Sequence, residues 1–231
     1  MAKLKKVDFK RNRLIAKIAP KSPITEQYRT VRTNIQFSAI DTPIRSIMIT
    51  SPGPGEGKST TASNLAVVFA QQGKKVLIVD SDLRRPTLHY TFGFTNTIGL
   101  TNVLTRQIHI KESIRSTDVE NLYFMPSGPI PPNPAELLGS SAMDQLIADL
   151  YEMFDLVIFD VPPVLAVADA QVMANQVDAA ILVVSSGQSD RDGAVKAKEI
   201  LEQTKSKLLG AVLNNKEEDR TTHYYYYYSH K

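Results

Sequence analysis

The chain has 231 residues, 42% of them hydrophobic and 22% charged, with a formal net charge of +3. That length supports one sizeable α/β domain with its own core, and the charge is too small to argue for nucleic acid. There is no cysteine, which excludes disulfides, cysteine-ligated clusters and thiol chemistry, and no apolar run of about 18 residues that would span a membrane.

Residues 1–22 read as a basic N-terminal arm. Lys3, Lys5, Lys6, Lys10, Arg11, Arg13 and Lys17 stand there against Asp8. Two readings fit this excess: a solvated terminus, or an electrostatic arm that lies on anionic lipid or on a partner's acidic surface. The arm has no apolar h-region, so it does not read as a secretory signal. Pro20 and Pro23 close it, and the folded domain is expected over 23–215. Residues 24–39 predict a helix, with Thr25 as a possible N-cap and Tyr28, Val31, Ile35 and Ala39 at helical spacing. Ile44–Thr50 is a short apolar run and predicts a buried strand. A Gly/Pro loop follows at 51–57, then a helix from Lys58 to Gln72 that Gly73 stops.

Lys75–Asp80 predicts the next strand, and short helices are expected near 85–91 and 98–105. Asn121–Met125 reads as a strand, followed by a proline-rich loop from Pro126 to Pro134. The pattern then alternates: helix 141–152, strand 155–160, helix 168–175, strand 179–184, helix 191–205 and strand 208–213. Strands that are apolar on both faces and alternate with helices predict a mostly parallel sheet with helices on both sides. Residues 216–231 carry no core pattern and read as a tail, which holds the five consecutive tyrosines Tyr224, Tyr225, Tyr226, Tyr227 and Tyr228.

The loop Ser51-Pro-Gly-Pro-Gly-Glu-Gly-Lys-Ser59 sits between a strand and a helix, the context that a phosphate-binding loop requires. Gly53, Gly55 and Gly57 let the backbone curl so that successive N–H groups face phosphate oxygens. The helix starting at Lys58 adds its positive dipole end. Gly53, Pro54, Gly55, Glu56, Gly57, Lys58, Ser59 and Thr60 are therefore the expected nucleotide contacts. Lys58, expected as an exposed loop lysine, reaches the β- and γ-phosphates, and the Ser59 hydroxyl ligates Mg²⁺. The pattern departs from G-x-x-x-x-G-K-S at its first position, which is Pro52. Three carboxylates support the site: Asp80 and Asp82 follow one strand, and Asp160 ends another. In a parallel sheet all strand C-termini share one edge, so these groups should converge near the loop.

On these residues the sequence resembles the bacterial tyrosine kinases (BY-kinases) of capsule and exopolysaccharide synthesis, from about residue 24 to the tail. The loop at 51–59 resembles their Walker A motif. Val79-Asp-Ser-Asp-Leu-Arg-Arg-Pro86 resembles their second Walker-type motif, and Phe159-Asp160-Val-Pro-Pro163 their Walker B segment. Glu26, Arg29 and Arg32 match an E-x-x-R-x-x-R oligomerisation motif, and the tyrosine cluster completes the likeness. The resemblance implies a Rossmann-like P-loop NTPase fold, with ATP and Mg²⁺ as cofactors. It also implies autophosphorylation of Tyr224–Tyr228, a ring-shaped homo-oligomer, other protein substrates and a phosphotyrosine phosphatase. A transmembrane adaptor of the polysaccharide co-polymerase type would hold the kinase, a separate cytoplasmic subunit, at the inner face of the membrane.

In that scheme Asp82 and Asp160 orient the metal's water shell and Asp80 accepts the tyrosine proton, though Asp80 and Asp82 can exchange roles. Asn214 or Asn215 reads the adenine edge, or simply ends a strand in a turn. Two rival readings share the motifs. A ParA/MinD-like positioning ATPase places a lysine five residues before the loop lysine, where this chain has Gly53, and gives the tyrosine tail no purpose. A non-catalytic assembly factor would use the tyrosines as a sticky strand.

Overall fold

The structure, a computed structural model, describes residues 14–39 and 43–217; the tyrosine cluster lies outside the described residues. In chain order the elements are α1 (Ile15–Ile18), α2 (Pro23–Ser38), β1 (Ser46–Thr50), α3 (Lys58–Ala70), β2 (Val76–Asp80), α4 (Leu88–Phe92), α5 (Leu100–Leu104) and α6 (Ile110–Ser113). They continue with β3 (Arg115–Ser116), β4 (Leu122–Met125), α7 (Pro134–Leu138), α8 (Ser141–Met153), β5 (Leu156–Asp160), α9 (Asp169–Ala174), β6 (Ala179–Ser185), α10 (Arg191–Glu202) and β7 (Lys207–Asn214).

The strands form one sheet in the order β3-β4-β2-β5-β1-β6-β7. All neighbouring pairs are parallel except β3 with β4. β1, β2 and β5 are buried at every position, as strands covered on both faces must be. Their alternate residues feed two separate cores. Met48, Leu77, Val79, Val157 and Phe159 pack with α8 and α9 on one face. Ile47, Ile49, Val76, Ile78 and Ile158 pack with α3 on the other. α3 is buried almost throughout from Thr61 to Ala70, so its apolar surface runs all round it rather than along one stripe.

Several expectations need correction. The basic arm stops short of residue 14: Leu14, Ile15 and Ala16 are buried in the α3-side core. Ala16 N–H donates to Asn64 Oδ1 at 2.9 Å, and Gln71 Nε2 donates to the Ala16 carbonyl at 3.1 Å. The flanking charges hide this short apolar segment in the sequence. Ser22, not Thr25, caps α2: its hydroxyl accepts from Thr25 N–H at 3.2 Å, with Pro23 in the first turn. Thr25 is instead buried and donates to the Ala19 carbonyl at 2.9 Å. The proline-rich loop ends in a helix, because Pro134 serves as the first residue of α7, where its missing N–H costs nothing. α6 and the two-residue β3 have no counterpart in the sequence pattern.

Candidate active site

The phosphate loop leaves β1 at the C-terminal edge of the sheet. Gly55 (φ 80°) and Gly57 (φ 95°) are left-handed, a conformation that glycine adopts without strain. Gly57 is the N-cap of α3, and no side chain caps that helix. Its first amides are therefore left for an anion. One amide of the loop points elsewhere: Gly53 N–H donates to Glu56 Oε1 at 2.7 Å. The expected inward row of N–H groups is therefore interrupted at three positions: Gly53 N–H is taken by Glu56, and Pro52 and Pro54 have no N–H to contribute.

The sheet register brings the acids together. Asp80 and Asp160 are direct partners at the ends of β2 and β5. Asp82 follows on the loop after β2, with its Oδ1 accepting from Arg85 N–H at 3.0 Å. Lys58 lies among these carboxylates, with Nζ 3.0 Å from Asp82 Oδ2 and 3.3 Å from Asp160 Oδ1. It also lies 3.3 Å from Ser59 Oγ. Lys58 is therefore not an exposed loop lysine; its side chain is 13% exposed.

Electrostatics follow from this crowding. Burial works against the Lys58 ammonium, but the Asp160 and Asp82 carboxylates outweigh it and hold its pKa above the ordinary lysine value. Burial, reinforced by Asp160, pushes Asp80 up to about 8. Burial raises Asp160 as well, with Lys58 pulling the other way. Asp80 Oδ2 accepts from Thr87 and Leu88 N–H at 3.1 and 3.0 Å, while its Oδ1 and Asp160 Oδ2 are buried without a hydrogen-bond partner. Buried orphan carboxylate oxygens in a cluster with excess negative charge fit a divalent cation. No group of three or more His, Cys, Asp or Glu among the described residues could hold such an ion alone. The residues fit Mg²⁺ that is shared with phosphate oxygens, which is how that ion usually binds at nucleotide sites.

A family model for the AAA domain matches residues 44–212. The tyrosine-protein kinase YwqD of Bacillus subtilis is 55% identical over 201 residues, covering 87% of this chain and 85% of that protein. The chain belongs to the bacterial tyrosine-protein kinases. The crystal structure of the chimerical protein CapA2B2 superposes with a TM-score of 0.86 at 46% identity, covering 89% of this chain and 91% of that one. MinD from Pyrococcus horikoshii, complexed with Mg-ADP, is more distant, with a TM-score of 0.63 and 29% identity over 73% of this chain and 69% of that one. The positioning-ATPase reading therefore rests on the shared nucleotide fold alone.

The kinase's other expected residues fall in two places. Glu26 and Arg29 pair with each other on the outer side of α2. Arg32 does not continue their exposed stripe: its Nη1 donates to the Val68 carbonyl at 2.8 Å. It thereby supplies a cation to the last turn of α3, which has no basic residue of its own. Asn214, the expected adenine reader, turns its amide to the phosphate loop and donates to the Glu56 carbonyl at 3.0 Å. A Cβ on Gly57 would collide with that amide. Asn215 is left-handed (φ 55°) and donates to Ser185 Oγ at 2.9 Å. Thr60 stands in the first turn of α3, its carbonyl accepting from Asn64 Nδ2 at 2.8 Å.

Two arrangements had no sequence signal. The Arg84 guanidinium grips the buried Asp169 carboxylate with two bonds of 2.9 Å and ties the Asp82 loop to α9. Glu56 is buried under the loop it belongs to.

Proposed function

We propose that this protein-tyrosine kinase transfers the γ-phosphoryl group of Mg·ATP to its own tyrosines Tyr224–Tyr228, between subunits of a ring. Its setting is capsule or exopolysaccharide synthesis, with a transmembrane adaptor and an opposing phosphotyrosine phosphatase. The observation that carries the chemistry is the buried cluster of Lys58, Asp80, Asp82 and Asp160 beside an uncapped helix N-terminus.

The loop amides and Lys58 hold the triphosphate and neutralise charge on the transferring group. Ser59, Asp82 and Asp160 would hold Mg²⁺, which supplies further charge neutralisation at the phosphate oxygens. A tyrosine hydroxyl, with an ordinary pKa near 10, is protonated at neutral pH. Its oxygen forms the new bond to the γ-phosphorus as the bond to the β,γ-bridging oxygen breaks, and ADP leaves with that electron pair. The phenolic proton passes to Asp80 Oδ1, the oxygen without a partner. A carboxyl pushed up to about 8 suits this exchange, because a general base works best with a pKa near the operating pH.

Support for the adaptor comes from a solved relative that is a chimerical protein, CapA2B2. Among the described residues no helix is long and apolar enough to cross a membrane, so anchoring is assigned to that partner. About ten residues separate Asn215 from Tyr224, a reach of about 35 Å when extended. That reach would let the tail enter a neighbouring subunit's site when subunits pack side by side.

Mixing two variants that cannot label their own tails tests the reading. Lys58→Met has tyrosines without chemistry, and the variant with all five tail tyrosines changed to Phe has chemistry without acceptors. With labelled ATP, phosphate should appear on the Lys58→Met subunit. No label there, while wild type labels itself, would refute transfer between chains. Label mapped to Tyr28, Tyr90, Tyr123 or Tyr151 would refute the acceptor assignment.

A further inference from the structure

Glu56 poses a physical problem. It is an acidic side chain inside a loop built to receive an anion, where its charge should repel the ligand. The structure shows that it faces away. Its residue is 4% exposed, and protein donors occupy both carboxyl oxygens. Oε1 accepts from Gly53 N–H at 2.7 Å. Oε2 accepts from Ser185 N–H at 3.3 Å and from the Ser189 hydroxyl. Ser189 Oγ in turn accepts from Ser185 N–H at 2.7 Å. The Glu56 carbonyl takes the Asn214 amide at 3.0 Å. One residue therefore joins the phosphate loop to the turn after β6 and to the end of β7.

We propose that Glu56 is a positioning residue for phosphoryl transfer, clasping the phosphate loop in its anion-accepting shape, and that it touches neither nucleotide nor metal. The loop needs such a device because it holds three glycines, two of them left-handed, whose backbone is free to adopt many shapes; Pro52 and Pro54 fix φ only at their own positions. The clasp removes that freedom before the ligand arrives, so less ordering entropy is lost on binding. The proposal rests on 51–59 being the triphosphate loop, and is independent of which tyrosine accepts.

The test uses the full-length chain and a fluorescent ATP analogue, with thermal melting as a folding control. Glu56→Ala should weaken binding about tenfold, the loss expected for one or two hydrogen bonds. Glu56→Gln keeps the acceptor for Gly53 and can donate to Ser189 Oγ, losing only the longer Ser185 contact, whose N–H keeps Ser189 Oγ as acceptor, so it should return the constant to within about threefold of wild type. If Gln binds as weakly as Ala, charge rather than shape is at work and the clasp is wrong. Wild-type affinity in Glu56→Ala would also overturn it. Ser189→Ala should weaken binding about threefold, and the double variant should be no weaker than Glu56→Ala because both act through one contact. Should Glu56→Ala not fold, Ser189→Ala decides, and wild-type affinity there refutes the clasp. Failure of wild type itself to bind the analogue would instead sink the nucleotide reading beneath it.

Discussion

Replacing Lys58 by Met should do two things at once: abolish phosphoryl transfer and destabilise the nucleotide-free protein in a pH-dependent way. The ammonium sits within 3.3 Å of Asp160 and 3.0 Å of Asp82, and their side chains are 0% and 8% exposed. Removing one partner from a buried ionic cluster typically costs about 3–5 kcal/mol, because the remaining charges are left uncompensated. The sign follows from the shifts. Lys58 has a raised pKa, so its contribution is present below the ordinary lysine value and fades only as pH rises through the folded one. Asp80 is also raised, to about 8, so its cost sets in as pH climbs from the ordinary aspartate range towards 8. Deleting the cation deepens that cost. The loss should be largest at pH 8, about 3 kcal/mol, and should shrink by pH 5, where Asp80 is already neutral. Urea unfolding followed by circular dichroism at both pH values measures it. A stability difference that is absent, or the same at both pH values, would refute the buried-cluster reasoning. Phosphotyrosine at wild-type levels would refute the role of Lys58 in the chemistry.

Asp80→Asn should remove the cost of ionising a buried carboxyl: the nucleotide-free protein should gain a few kcal/mol at pH 8 and almost nothing at pH 4, while transfer is lost. Lower stability at pH 8 would show that ionising Asp80 in the folded protein carries no cost. Ile15→Ala should cost about 2–4 kcal/mol, because Ile15 is 6% exposed in the α3-side core; an unchanged melting temperature would return the segment to the arm. Arg29→Ala, which breaks an exposed pair, should change stability by less than about 1 kcal/mol, whereas Arg32→Ala should cost about 1–2 kcal/mol by stripping the donor from Val68. Arg29→Ala is therefore the cleaner probe of assembly, and light scattering should show loss of the large species. An unchanged mass would reject α2 as the contact.

The fold class was legible in the sequence because parallel strands buried on both faces leave nearly continuous apolar runs, and glycine and proline punctuate the turns between them. The same reading gave the phosphate loop and the acids that follow strands, since those motifs are local in the chain. It placed Asp80, Asp82 and Asp160 on one edge from topology alone, and the structure brings all three around Lys58. What stayed hidden was whatever depends on contacts between residues far apart in sequence. Leu14–Ala16 look like part of a charged arm until Asn64 and Gln71 receive their backbone. Arg32 looks like the third member of an exposed stripe until the end of α3 takes its guanidinium. Glu56 looks like one more loop residue until Ser185 and Ser189, over a hundred positions away, occupy its carboxyl group. The sequence by itself determined which backbone conformations and apolar faces were available, because those are local preferences. Only the tertiary structure decided which polar groups were buried together, because a charge's partner and its pKa depend on distance in space and not along the chain.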